Sequence, residues 1–184
     1  MPLKSFTIES GDIPRYTYQD YKIWEGNWEL IKGYPYAMSP PPNRKHQGIG
    51  KKLISALDKL LSETNHQTAC NCDVFYELDW IINQDTVVRP DVMVVCGNFE
   101  TDFLTFPPTL IAEISSESTR MKDRNTKFRL YESMGVKYYL IVDTEKETVE
   151  IFELKDNQYK QNDTLQLFQL TNQCKIELNT TNLW

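Results

Sequence analysis

The chain has 184 residues and a mass of 21.6 kDa, with 40% apolar and 25% charged residues. That is the size of one ordinary domain, with enough apolar surface to bury a core unaided, which excludes a disordered chain. A net charge of −6 and a pI near 5.0 exclude a protein that coats nucleic acid over its whole surface, but not a local basic rim around an acidic centre.

Residues 1–6 are not followed by the apolar stretch of a secretory signal. The strongest apolar run, 138–142, falls far short of the roughly 20 residues that cross a bilayer. The expectation is one domain over 1–184, cytoplasmic and with no membrane association. Four cysteines, Cys70, Cys72, Cys96 and Cys174, lack the C-x-x-C spacing of a zinc site, which suits a reducing compartment. Cys70 and Cys72 share a strand face, as half a metal site or, preferred here, as small core-filling side chains.

In chain order, 16–21 reads as a short helix or turn. Residues 28–38 form two strand-like runs around Lys32-Gly33, a hairpin stopped by Ser39-Pro40-Pro41-Pro42. From Arg44 to Leu61 the period changes, with Ile49, Leu53, Ala56, Leu57, Leu60 and Leu61 on one helical stripe. Strand-like runs follow at 68–78, 86–96 and 109–115. The last two are nearly continuous in apolar residues, as expected of central strands covered on both faces. A second helix spans about 123–134, closed by Gly135, and 137–142 reads as another buried strand. Short strands at 148–154, 159–160, 165–170 and 174–178, separated by Asp156-Asn157 and Thr171-Asn172 turns, read as an antiparallel extension.

Two carboxylates interrupt the apolar runs. Asp91 lies in Arg89-Pro90-Asp91-Val92-Met93 and Glu113 in Leu110-Ile111-Ala112-Glu113-Ile114, and an unpaired buried carboxylate is costly. If the strands are neighbours the two converge, and a hard cation such as Mg²⁺ (or Mn²⁺) is their natural partner. The alternative is that Asp91 ends a turn after Pro90 and Glu113 pairs with an arginine.

On the second helix Lys127 falls near the middle of the apolar arc of Phe128, Leu130, Tyr131 and Met134, with Asp123 on the same side. It either snorkels at the helix end or enters a negatively charged site, and the two carboxylates favour the site. His46 projects in line with Ile49 and Leu53; a packing or hydrogen-bonding role is the first reading, a catalytic one the second. Glu29 reads as an exposed strand charge, or else as a third acidic ligand. Lys45, Lys51, Lys52, Lys122 and Arg124 are candidate phosphate contacts or ordinary solvated charges.

The ordered series Glu29-Leu30-Ile31-Lys32-Gly33, Met38-Ser39-Pro40, His46, Arg89-Pro90-Asp91-Val92, Glu113-Ile114-Ser115, Asp123, Lys127, Tyr131 and Gly135 to Asp143 resembles a large bacterial family of restriction endonuclease-like proteins. That family is a branch of the PD-(D/E)XK nuclease superfamily, and the resemblance covers about 18–155, with 156–184 as the C-terminal extension. It implies an α/β (α+β) fold: a mixed sheet flanked by helices, with additional antiparallel hairpins. It also implies metal ligation by Asp91, Glu113 and the Ile114 carbonyl, and Mg²⁺-dependent hydrolysis of DNA.

One position departs from the pattern. The superfamily lysine two residues after the glutamate is here Ser115, so Lys127 is expected to supply that charge from the helix. Glu29 or His46 would complete a second metal site. Fold-level analogy adds a homodimer. The competing reading is a nuclease-fold module that binds nucleic acid or protein without cutting, motivated by Ser115 and the acidic charge. A hydrolase of small phosphate esters is a third.

Overall fold

The computed structural model describes residues 11, 13–38, 41–68, 70–117 and 119–184. The N-terminal segment 1–6 and the Ser39-Pro40 step at which the first hairpin was expected to stop lie outside the described residues.

A six-stranded mixed sheet forms the centre, in the order β10-β9-β8-β7-β6-β3. Its strands are β3 (Cys72–Tyr76), β6 (Val92–Cys96), β7 (Leu110–Ser115), β8 (Tyr138–Asp143), β9 (Thr148–Lys155) and β10 (Gln158–Gln161). Only β7 and β8 run parallel, joined by a helical crossover; the other neighbours are antiparallel. Every residue of β7 and β8 is buried, including Glu113, Ser115 and Asp143, as expected of nearly continuous apolar strands at the centre of a sheet.

Helix α2 (Arg44–Gln67) covers one face. Its Leu53, Leu57 and Leu61 pack against Val92, Val94, Ala112 and Leu140. On the other face a π-helix (Lys122–Lys127) continues into α3 (Phe128–Ser133), where Tyr131 packs with Met93, Ile111, Tyr139 and Ile141. The strand alternation thus sorts one apolar set onto each side. Gly135 ends α3 at φ 79°, a left-handed conformation open to glycine at little cost.

A second, antiparallel sheet has the order β2-β1-β5-β4, from β1 (Trp28–Ile31), β2 (Tyr34–Ala37), β4 (Trp80–Asn83) and β5 (Thr86–Val88). The β1–β2 hairpin turns on Lys32-Gly33, both at positive φ, the geometry whose twist matches paired strands. Helix α1 (Tyr18–Tyr21) lies before it. β11 (Leu167–Gln169) and β12 (Lys175–Glu177) form a separate two-stranded sheet. Phe168 and Ile176 from that pair join the core under α2, while β10 is the edge of the central sheet. A mixed sheet with flanking helices and extra hairpins is therefore the observed fold.

Several local expectations are corrected. The run 86–96 is two strands in two different sheets, because Pro90 has no N–H for the ladder and the chain changes sheet at Arg89-Pro90-Asp91. β4 was not anticipated at all. The first helix continues past Leu61 to Gln67, and the second is π-helical over Lys122–Lys127 before it becomes α3.

The cysteines are corrected too. They are not free core-filling thiols: Cys70 bonds Cys174 and Cys72 bonds Cys96. Cys72 and Cys96 are direct cross-strand partners, and the sulfurs of Cys70, Cys72 and Cys174 lie within 4.8 Å of one another. Pairing across 104 residues leaves no trace in local spacing, so the expectation of a reducing compartment loses its support. Among the described residues no helix is long and apolar enough to cross a membrane.

Candidate active site

Val92 pairs with Ala112, and extending that antiparallel register by one residue sets Asp91 opposite Glu113. The pairing stops there. Instead, Asp91 Oδ2 accepts the Ile114 N–H at 2.6 Å. The N–H and C=O of one strand residue point the same way, so the Ile114 carbonyl faces the same gap.

His46 enters from the first turn of α2, where Asn43 Oδ1 accepts its backbone N–H at 3.0 Å. Its Nε2 lies 3.4 Å from Asp91 Oδ1. Burial alone would lower the imidazole pKa, but the Asp91 carboxylate beside it, with smaller effects from Glu77 and the Ile114 backbone, raises it.

Glu113 reaches the opposite helix. Its Oε1 accepts from Lys127 Nζ and from Tyr131 OH, each at 2.7 Å, while Oε2 has no hydrogen-bond partner among the described residues. Lys127 Nζ also lies 2.7 Å from Glu29 Oε1. Glu29 Oε2 in turn accepts from Lys122 Nζ at 2.6 Å, and its Oε1 accepts the Arg89 N–H at 3.0 Å. Glu29 is fully buried, which corrects its first reading as an exposed strand charge.

The π-helix explains how two lysines share one carboxylate. Its hydrogen bonds run to i+5 rather than i+4, which widens the turn and brings Lys122 and Lys127 nearer to one side. In an α-helix the same two residues would diverge by about 140°.

The two glutamates respond differently to the same lysine. Burial raises the Glu29 pKa, but Lys127 and Lys122 outweigh it and hold the group below the usual range. Glu113 has Lys127 alone against burial and the charges of Asp91, Asp123 and Glu29, and is pushed up to about 8. Lys127 stays charged: burial opposes its charge, but Glu113, Glu29 and Asp123 raise its pKa well above the ordinary value. Burial is also the main reason that Asp123 sits above its ordinary pKa.

Asp91, Glu113, Lys127, Glu29, His46 and Asp123 therefore come together as one constellation. Ser115 shares the Glu113 face of β7, is buried, and sits in register with Asp143; its hydroxyl has no partner among the described residues. Sequence reasoning missed Tyr131 as a donor, although its i,i+4 spacing from Lys127 was available. It also misread Lys122, whose partner could be seen only once the π-helix was known. Of the other expected phosphate contacts, Arg124 is bonded to Glu150 and Lys52 to the carbonyls of Leu183 and Trp184. Lys45 and Lys51 are exposed.

By type, Asp91 Oδ1, Glu113 Oε2 and the Ile114 carbonyl are the oxygen donors a hard divalent cation takes, and His46 Nε2 lies 3.4 Å from Asp91 Oδ1.

A family model matches residues 18–180, nearly the whole chain and the entire constellation. The chain belongs to the Uma2 family. The description of Uma2 is "Putative restriction endonuclease". An uncharacterized protein of Synechocystis sp. (strain ATCC 27184 / PCC 6803 / Kazusa) is 28% identical to this Uma2 chain, covering 86% of this chain and 87% of the relative. A crystal structure from Anabaena variabilis, titled as a "putative nuclease belonging to DUF820", superposes with a TM-score of 0.66 at 17% identity. It covers 82% of this chain and 86% of that one, and shows that the nuclease-like fold is shared.

Proposed function

We propose that this Uma2 chain is a divalent-cation-dependent deoxyribonuclease that hydrolyses phosphodiester bonds. The observation that carries the reading is Lys127, whose Nζ lies 2.7 Å from Glu113 Oε1 and so brings from a helix the positive charge that Ser115 does not supply from the strand.

Asp91, Glu113 and the Ile114 carbonyl would hold Mg²⁺ or Mn²⁺. Such an ion supplies Lewis-acid chemistry, lowering the pKa of an attacking water and neutralising phosphate charge. Lys127 holds a fixed positive charge where negative charge grows on the phosphate. Tyr131 and Glu29 keep it there: Tyr131 shares Glu113 Oε1, and Glu29 anchors the other side of the ammonium. His46, beside Asp91 at the more open side, is placed to orient a water or to pass a proton.

Incubation of supercoiled and linear DNA with Mg²⁺ or Mn²⁺, with Asp91→Ala alongside, tests the reading. Metal-dependent cutting that Asp91→Ala abolishes is the expected result; no cutting by a folded protein under either metal sinks it.

The burial of Lys127, only 2% exposed, favours one second reading, a nuclease-fold module that binds nucleic acid without turnover. Binding without cutting distinguishes it. A cytoplasmic location accompanies the DNA substrate, and the two disulfides stand against it. Alkylation of thiols before lysis decides between them: four blocked cysteines support the cytoplasm, and two intact disulfides exclude it.

A further inference from the structure

Beside the candidate active site, the segment between α1 and β1 builds a half-open cavity of about 350 Å³. Tyr18, Tyr21, Trp24 and Trp28 line it, with Asp79 and Arg89 at its polar side. The volume is at the small end of small-molecule sites, too small for a peptide or a folded partner.

The rings are fixed, not loose. Trp24 meets Tyr21 at 5.7 Å and Trp28 at 5.8 Å, both edge to face. The Trp28 indole N–H donates to the Glu25 carbonyl at 2.8 Å, and Tyr21 OH donates to Asp79 Oδ2 at 2.9 Å. Yet Trp24 and Trp28 are only half-buried, and Phe103 at the rim is 40% exposed. Core aromatics would be covered; these present ring surface to a cavity.

Arg89 ties the cavity to the site. Its Nε donates to Asp79 Oδ1 at 2.6 Å and its Nη1 to Asn27 Oδ1 at 3.0 Å. Nη2 has no hydrogen-bond partner among the described residues. The Arg89 backbone N–H is the one that Glu29 accepts, and Asp91 is two residues on, at most about 7 Å along the chain. Arg89 thus links the cavity wall to the stretch of chain that carries Asp91.

The geometry points to a stacking subsite for one unpaired nucleobase of the DNA strand held at Asp91. Trp24, half-buried in the cavity wall, supplies the ring face, and the Arg89–Asp79 pair faces the edge of the base. Duplex DNA keeps its bases stacked on each other, so the subsite selects a frayed, flipped or single-stranded nucleotide. This rests on the proposed nuclease reading for the strand's position, but its test is binding alone.

In EDTA, where no cutting occurs, fluorescence anisotropy compares labelled oligo(dT) with a blunt duplex of the same length. The unsubstituted protein prefers oligo(dT). Trp24→Ala lowers that preference roughly 5- to 150-fold, the size of one lost base stack, and Trp24→Phe, which keeps a ring face, retains most of it. In the unsubstituted protein, saturating oligo(dT) also quenches tryptophan fluorescence, a readout that does not depend on any variant folding. No preference for unpaired bases, an unchanged preference in Trp24→Ala, absence of quenching, or a mononucleotide that binds as tightly as the strand each overturns the subsite. A protein with the preference that never cuts DNA leaves the subsite standing and removes only the hydrolytic reading.

Discussion

Lys122 and Lys127 end on the two oxygens of one buried carboxylate, Glu29, at 2.6 and 2.7 Å. The pair ties the crossover after β7 to the first strand of the other sheet, and it fixes the direction from which Lys127 approaches Glu113. Glu29 is thus the positioning residue for the lysine on which the proposed chemistry depends.

Removing the ammonium exposes how much the site relies on it. Lys127→Met leaves Glu29 short of one partner and Glu113 with Tyr131 only, both away from water. Breaking a buried pair in this way costs about 3–5 kcal/mol, read as a lower midpoint in urea unfolding. Lys127→Met combined with Glu113→Gln should recover part of that loss; a strictly additive double variant would show that the two groups are not coupled.

Asp91→Asn separates metal binding from folding. The amide oxygen can still accept the Ile114 N–H, so unfolding should shift by less than about 1 kcal/mol. Loss of a charged ligand should weaken Mn²⁺ binding by more than about 100-fold, since even residues behind the ligands are worth 10- to 100-fold. Titration calorimetry measures it, and unchanged Mn²⁺ affinity would remove Asp91 from the ligand set.

Ser115 offers a direct test of the displaced lysine. Ser115→Lys alone adds a second buried cation beside Lys127 and should destabilise the protein. In a Lys127→Met background the same substitution restores a positive charge on the Glu113 face of β7. DNA cleavage by the double variant should exceed that of Lys127→Met alone; equal rates would mean that the charge acts only from the helix.

The Cys70–Cys174 bond closes a loop of 104 residues and fastens the segment between β11 and β12 under α2. Reduction, or Cys174→Ser, should cost about 2–4 kcal/mol, seen as a fall in Tm by calorimetry with and without a phosphine reductant. The same Tm in both conditions would show that the bond does not contribute.

Asp91 and Glu113 were legible because a carboxylate inside an apolar strand carries a solvation cost that must be met, and that cost is visible one residue at a time. Lys127 was legible for the same reason on a helical wheel. Glu29 was not, because Trp28-Glu29-Leu30 reads equally well as a strand with one charge turned to water. What buries Glu29 is the arrival of two lysines from a helix nearly a hundred positions later in the chain.

The amino-acid sequence by itself determined the buried strands at 109–115 and 137–142, the amphipathic α2, the left-handed stop at Gly135 and the two carboxylates set in apolar runs, all consequences of local periodicity and of where charge interrupts it. The tertiary structure alone decided that 86–96 divides between two sheets, that four cysteines make two bonds, and that Lys122 and Lys127 lie on one side of a π-helix. These rest on contacts between segments far apart in the chain, and local periodicity carries no record of which distant partner a strand edge, a thiol or an ammonium will meet.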